Sequence, residues 1–421
     1  MMLRNVFRRS RCSLWKTPRP RGKAPRYEFS PADGELLGDS PLGGDTMPNM
    51  MDYLAWRGDV ALAYAPFNDV DSLILASLSY LTYPQEEGFL RDLALAVPQV
   101  DKNQFSFVHE IRAMLSAAAL TERFAGVRMH HPVAVTDRER DMQFAAVTFA
   151  LPDGTHYIAF RGTDSTIVGW REDFNMAFES PIPAQTAAVK YLTEAAATTT
   201  GPLILGGHSK GGNLAVYSAA HADPMLQSRI RTIYSFDGPG LDDATVASEG
   251  YAAIARRIRS FVPQQSVVGL LMTYHPEYTV VKSDGVSLLQ HDSFTWQVLG
   301  TGFIAVTELD VSSQLVDQTV HAWLSQVSKE QRRVFVGTIF DILEATGANT
   351  VKELLRDIPG RLPAVLKALQ KVDFETAKMI ITLWGQFVQI GASNILGLLR
   401  QRLSPDNTEH LQGDTNHGTE R

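Results

Sequence analysis

The chain has 421 residues, 44% of them hydrophobic and 20% charged, with a formal net charge of -7. That length and composition suit one large domain with an appendage, and the acidic balance gives no basis for nucleic-acid binding by the whole protein. The single cysteine, Cys12, excludes an internal disulfide framework and fits a reducing, cytoplasmic compartment.

Residues 1–46 differ from the rest. Arg4, Arg8, Arg9, Arg11, Lys16, Arg19, Arg21, Lys23 and Arg26 face almost no acid, and Pro18, Pro20 and Pro25 break any helix. No long apolar run follows, so this is no secretory signal peptide. It reads as a disordered basic tail, or as a start placed too far upstream of Met47 or Met50. Residues 47–300 read as the main domain. Its opening stretch shows helical periodicity over Val70–Tyr80, Phe89–Val97 and Phe107–Leu120. Phe144–Phe149 and His156–Phe160 read as strands joined by the Pro152-Asp-Gly154 turn. Ala184–Ala197 is a helix, and Arg231–Phe236, Arg257–Val262 and Tyr278–Lys282 are further strands. Strands and helices alternating at this spacing predict a mostly parallel, doubly wound α/β sheet with an N-terminal helical segment. A C-terminal helical extension follows over 301–402, and 403–421 reads as a polar, disordered tail.

Two segments carry chemistry. The run Leu203-Ile-Leu-Gly-Gly-His-Ser-Lys-Gly-Gly212 is a short apolar strand, a Gly-x-Ser-x-Gly turn and a helix beginning near Asn213. That is the nucleophile elbow of an α/β-hydrolase, with Ser209 as nucleophile. A serine hydroxyl needs a base, and the base needs an orienting carboxylate. Of the histidines after Ser209, His221 lies at the far end of the elbow helix, His275 precedes the last strand, and His321, His410 and His417 fall in the helical or polar tail. His291, in a loop after the last strand, is the expected base. The acid is Asp237, at the end of a strand that should lie beside the elbow strand, or else a turn-capping residue before Gly238-Pro239. Asp284 and Asp292 are lesser candidates. Pro263–Pro276, where an acid is usual, has none, and Ser266 sits in its place.

The second segment is Phe160-Arg-Gly-Thr163, followed by Trp170 and Asp173. The amides of Thr163 and Lys210 form the expected oxyanion hole. Arg161 reads as a fold clamp on a buried carboxylate, and His208 as a packed, hydrogen-bonded neighbour of the serine. The Lys210 side chain should point away from Ser209 and lie solvated on the elbow helix, or attract an anionic head group.

Together these segments resemble class 3 (fungal-type) lipases, which share a Phe-Arg-Gly-Thr/Ser strand end, a Trp and Asp a few residues on, and Gly-His-Ser-x-Gly-Gly. The resemblance spans Phe144–Trp296. The chain is more similar still to a group of uncharacterised bacterial lipase-like proteins. Met51-Asp-Tyr-Leu-Ala-Trp-Arg-Gly-Asp59, Gly207-His-Ser-Lys-Gly-Gly-Asn-Leu-Ala215 and Pro263-Gln-Gln-Ser-Val-Val-Gly269 carry that likeness, over Met50 to about Arg400. It implies an α/β-hydrolase fold and a serine ester hydrolase of lipase or esterase type, acting on an acyl ester or lipid without metal or organic cofactor. Two features depart from class 3 lipases: they keep an Asp in the region matching Pro263–Ser266, and an apolar residue is usual at Lys210. The missing Asp motivates an alternative, a hydrolase fold without turnover that serves as a binding or scaffold protein.

Met379–Leu399 carries no charge, which raises a transmembrane question. Gln386, Gln389, Ser393 and Asn394 argue against a span. Ile380, Trp384, Phe387, Val388, Gly391, Ile395, Leu398 and Leu399 recur at helical spacing. That face predicts packing against the main domain or a partner helix, with peripheral membrane contact through 379–399 as the alternative.

Overall fold

Nine strands pair into one sheet in a computed structural model that describes residues 47–402, apart from 102–105, 165, 177, 273–276, 351–352 and 355–356. The tails 1–46 and 403–421, and with them His410 and His417, lie outside the described residues, as do His275 and the side chain of His321. The described residues fall in one compact unit.

The strands are β1 (Glu87–Phe89), β2 (Arg128–Asp137), β3 (Met142–Ala150), β4 (His156–Phe160), β5 (Leu203–His208), β6 (Ile230–Phe236), β7 (Ile258–Pro263) and β8 (Tyr278–Val281). A separate hairpin pairs β9 (Val298–Leu299) with β10 (Gly302–Phe303), and β11 (Ala305–Val306) returns to the main sheet beside β8. Strand order follows chain order from β1 to β8, then β11. β4 to β8 run parallel, and β1, β2, β3 and β11 join antiparallel. The sheet is therefore mixed, with a parallel centre.

It is also not doubly wound, which corrects the sequence expectation. Parallel crossovers are right-handed, so connections that all step the same way put their helices on the same face. Helices α6 (Pro183–Ala197), α7 (Lys210–Ala220) and α10 (Glu249–Ile254) share one core with Ile158, Phe160, Leu203, Leu205 and Ile233. The opposite face is covered from the chain's beginning, by α1 (Met50–Arg57), α2 (Asp69–Leu78), α3 (Leu90–Ala96) and α4 (Ser106–Ala118), packed with Tyr157, Ala159, Ile204, Tyr234 and Phe236. Period-2 alternation sorts the strand residues: Tyr157 and Ala159 face one core, Ile158 and Phe160 the other.

The remaining helices are α5 (Ile167–Asn175), α8 (Pro224–Arg229), α9 (Asp243–Val246), and the extension α11 (Val311–Gln326), α12 (Lys329–Ala345), α13 (Ile358–Leu369) and α14 (Phe374–Arg402). The extension packs on the main domain through a small core of Ile167, Phe178, Val336, Phe340 and Ala348. The Ile167 amide donates to the Asn349 carbonyl at 3.0 Å, and Trp323 Nε1 on α11 donates to the Leu383 carbonyl of α14 at 3.0 Å. Among the described residues no helix is long and apolar enough to cross a membrane. Of the apolar face on α14, Ile380 is half-buried and Val388 exposed, whereas the side chains of Trp384, Phe387, Ile395, Leu398 and Leu399 lie outside the described residues.

Register brings the functional segments to one edge. Phe160 pairs with Gly207, His208 with Phe236, and Phe236 with Phe261. The carboxyl ends of β4, β5 and β6 thus finish level, where ligands bind in parallel α/β sheets. Ser209 and Asp237 follow directly, and Thr163 three residues after β4.

Candidate active site

Ser209 follows β5 directly and N-caps α7, which begins at Lys210 rather than near Asn213. Its backbone lies at φ 58° and ψ -135°, a left-handed conformation that costs a non-glycine residue energy and marks a sharp turn from strand to helix. The turn closes only because its glycines lack side chains. A Cβ on Gly207 would meet Gly211 at 2.3 Å, and one on Gly211 would meet the Phe160 carbonyl at 2.1 Å. Lys210 is the first residue of α7, where an amide has no intrahelical acceptor.

Asp237 follows β6 at φ 49°, with its side chain completely buried. Its Oδ2 lies 2.6 Å from His291 Nδ1. Its Oδ1 accepts from Ser266 Oγ at 2.5 Å and from the Gly269 amide at 3.1 Å. A Cβ on Gly269 would stand 2.5 Å from Asp237 Oδ1, so only glycine lets that amide approach. The loop after β7 thus contributes two donors to a carboxylate on the neighbouring strand. The lesser candidates are engaged elsewhere: Asp284 accepts from Gln297 Nε2 and the Met47 amide, and Asp292 caps the short turn at Ser293–Thr295.

His291 ends a short 3-10 turn, Ser287–His291, with its side chain about a quarter exposed. Among the described residues no side chain hydrogen-bonds Ser209 Oγ; His208, next to the serine in the chain, is the residue that contacts His291. The His208 ring lies 4.6 Å from the His291 ring, and its Nε2 donates to the His291 carbonyl at 2.7 Å. A carbonyl only accepts, so His208 Nδ1 is unprotonated and accepts from Tyr80 Oη at 3.2 Å. Burial pushes the His208 pKa down to about 3, so the ring stays neutral. His208 is the packed neighbour the sequence implied, while His221 stacks on Tyr217 and bonds its carbonyl.

Thr163 follows β4 by three residues, and Gly162 brings this backbone against the elbow: a Cβ there would meet Ser209 Cβ at 2.9 Å and Tyr80 Oη at 2.2 Å. Thr163 Oγ1 donates to Asp173 Oδ2. Arg161 reaches Asp164 at 3.5 Å, and burial lowers its pKa.

The Lys210 side chain corrects the sequence expectation: it is buried, neither solvated nor free to attract a head group. Its Nζ donates to Glu172 Oε2 at 2.8 Å, to the Gln143 carbonyl at 3.0 Å and to Gln143 Oε1 at 3.1 Å, and lies 3.5 Å from Asp173 Oδ1. Burial alone would lower its pKa, but Glu172 and Asp173 outweigh that and hold it above the ordinary lysine value. Burial pushes the Asp173 carboxyl up to about 6, against the opposing pull of Lys210 and Thr163. The sequence reading missed Glu172, Gln143 and Tyr80. A signal existed for the first: a lysine inside an apolar Gly-Ala frame requires a carboxylate, and Glu172 stands beside the motif residue Asp173. Among the described residues no His, Cys, Asp and Glu cluster suits a metal ion.

Comparisons with known proteins come last. No curated protein matches the chain. Similar solved structures include M37 lipase, at 16% identity and a TM-score of 0.31 over 48% of this chain and 68% of that one. The lipase of Rhizopus microsporus var. chinensis is 14% identical, with a TM-score of 0.27 over 44% of this chain and 69% of its own. The native propeptide complex of Rhizomucor miehei lipase is 16% identical, with a TM-score of 0.26 over 45% and 65%. A model of the Mbeg1-like family matches residues 118–341. That stretch is more than half of the sequence, and the chain belongs to the Mbeg1-like family.

Proposed function

We propose that the chain is a serine hydrolase that cleaves acyl esters. The observation that carries this is the 2.6 Å contact between His291 Nδ1 and Asp237 Oδ2, formed beside a serine in a strained elbow. Ser209 Oγ attacks the ester carbonyl carbon, and His291 Nε2 takes its proton. The resulting imidazolium keeps its Nδ1–H on Asp237, and the amides of Thr163 and Lys210 stabilise the oxyanion. His291 then protonates the leaving alkoxide, which departs as the alcohol. Water, deprotonated by the same histidine, releases the acid and restores Ser209.

The alternative without turnover rested on the absent carboxylate after Val262; the Asp237–His291 contact, which supplies a carboxylate from another strand, supports the reading with turnover. The test combines a fluorophosphonate probe with p-nitrophenyl esters of increasing chain length. Wild type should be labelled and should turn over, and Ser209→Ala should do neither. Equal labelling of the two proteins, or an inert wild type, ends this reading.

A further inference from the structure

Lys210 stands where a cation is electrostatically disfavoured, in the first turn of a helix whose amino end carries partial positive charge. It is nonetheless completely desolvated, with a side chain 1% exposed. A buried ammonium persists only when its three donors are all answered. Here they are, by Glu172 Oε2 and by both oxygens of Gln143. Each partner leads elsewhere. Gln143 lies on β3. Glu172 also accepts from the Gln143 amide at 3.0 Å and, through Oε1, from the Ala184 amide of α6 at 2.9 Å. Asp173, 3.5 Å from the ammonium, receives the Thr163 hydroxyl. One cation therefore joins the elbow, the antiparallel strand β3, α5 and α6.

The Thr163 segment needs such a tie. It lies between β4 and α5 in no regular element, so ladder hydrogen bonds do not fix its amide. Without the ammonium, the buried Glu172 carboxylate and its partly exposed neighbour Asp173 would repel each other and seek water, drawing α5 outward.

We propose that the Lys210 side chain is a positioning residue that locks the Thr163 segment against the nucleophile elbow, so that the two amides of the oxyanion hole keep one register. The catalytic half of this rests on the ester-hydrolase reading; the mechanical half does not.

The test compares wild type, Lys210→Met and the gentler Glu172→Gln by kinetics and by amide hydrogen exchange. Misplacing a donor by about 1 Å costs roughly a hundredfold in rate. Lys210→Met should therefore lose about a hundredfold in kcat on a p-nitrophenyl ester, with KM within about twofold. A lysine that merely stabilised the fold would leave both constants near wild type in the folded fraction. Exchange should quicken over residues 161–176 and stay unchanged over Leu203–His208 of β5, with Glu172→Gln moving the same segment less. Unchanged exchange over 161–176 in both variants, or an unaltered kcat in Lys210→Met, overturns the proposal. If wild type neither turns over nor takes the probe, the ester-hydrolase reading fails alone, and exchange still decides whether Lys210 is the tie.

Discussion

Both carboxylate oxygens of Asp237 are engaged: one faces His291, the other Ser266 and the Gly269 amide. Such a carboxylate orients an imidazole and stabilises its charged form. Asp237→Asn keeps the shape but offers an amide where His291 needs an acceptor, so kcat should fall by about ten-thousandfold with little change in fold. Ser266→Ala removes one neutral donor, and its cost should be about tenfold or less. Steady-state kinetics with circular dichroism on both variants checks the order; equal effects would mean that Asp237 acts only as a turn residue. His208 gives a pH prediction. An unfolded chain protonates this histidine near the ordinary 6.5, the folded one only near 3. Between those values the unfolded state binds more protons. The stability contribution is fully present above about 6.5 and is lost as pH falls toward 3, by on the order of 1.4 kcal/mol per unit. Urea midpoints between pH 7 and 4 should therefore slope less steeply in His208→Asn, and parallel slopes would refute the assignment. At this scale the sequence was legible where chemistry dictates local pattern. The sharp turn at Ser209 was readable from a motif, and the meeting of His291 with Asp237 from a loop position and a strand end. The donors that hold Asp237, and the carboxylate beneath Lys210, come from distant segments, and no local pattern marks them.

At the scale of elements, the piece that bears on the site is α5, because it follows Thr163 and is held from outside. Arg171 on α5 meets Asp141, Asp341 and Glu344 at 3.1–3.2 Å, but those carboxylates are partly to largely exposed and the pairs contribute at most about 1 kcal/mol together. The apolar contact matters more. Phe340 of α12 is 6% exposed and lies 5.6 Å from the Phe174 ring. Phe340→Ala should cost about 3 kcal/mol and loosen α5 along with the extension. Denaturant unfolding gives the first quantity, and amide hydrogen exchange over Ile167–Asn175 reports the second; a stable variant with unchanged exchange there would mean that the extension and α5 are independent. Elements were readable where burial imposes a period. β4 coincides with its expected span, because one of its faces meets each core. β2 went unread because it is mostly exposed, carries Pro132 and is interrupted at His131, whose φ of 52° marks a register shift. α1 had a readable start: Asn49 and Asp52 form a reciprocal capping box.

For the whole molecule, the alternation of strand and helix announces a parallel centre but not the direction of winding. Consecutive strand order leaves one face of the sheet without crossover helices, so α1 to α4 must be held over it by their own interactions. The strongest polar one is buried. Arg123, in the turn after α4, directs Nε to Asp71 Oδ1 at 2.6 Å and Nη2 to Asp71 Oδ2, with both side chains fully buried. Its remaining donors reach the carbonyls of Val60, Ala65 and Pro66 at 3.1 Å. Asp71 in turn accepts from Tyr53 Oη of α1 at 2.8 Å. This pair orders three segments of the cap at once, and breaking it leaves a lone charge in a dry core. Arg123→Met should cost about 3–5 kcal/mol, mostly from the uncompensated Asp71 carboxylate. The double variant Arg123→Met/Asp71→Leu removes both charges but takes the acceptor from the Tyr53 hydroxyl and the Asn68 amide and the donor from three carbonyls. It should be less destabilised than the sum of the single changes by about 2 kcal/mol. Guanidinium unfolding of the four proteins measures that coupling. Strict additivity would mean that the cap is held by its apolar contacts alone and that the ion pair fixes nothing.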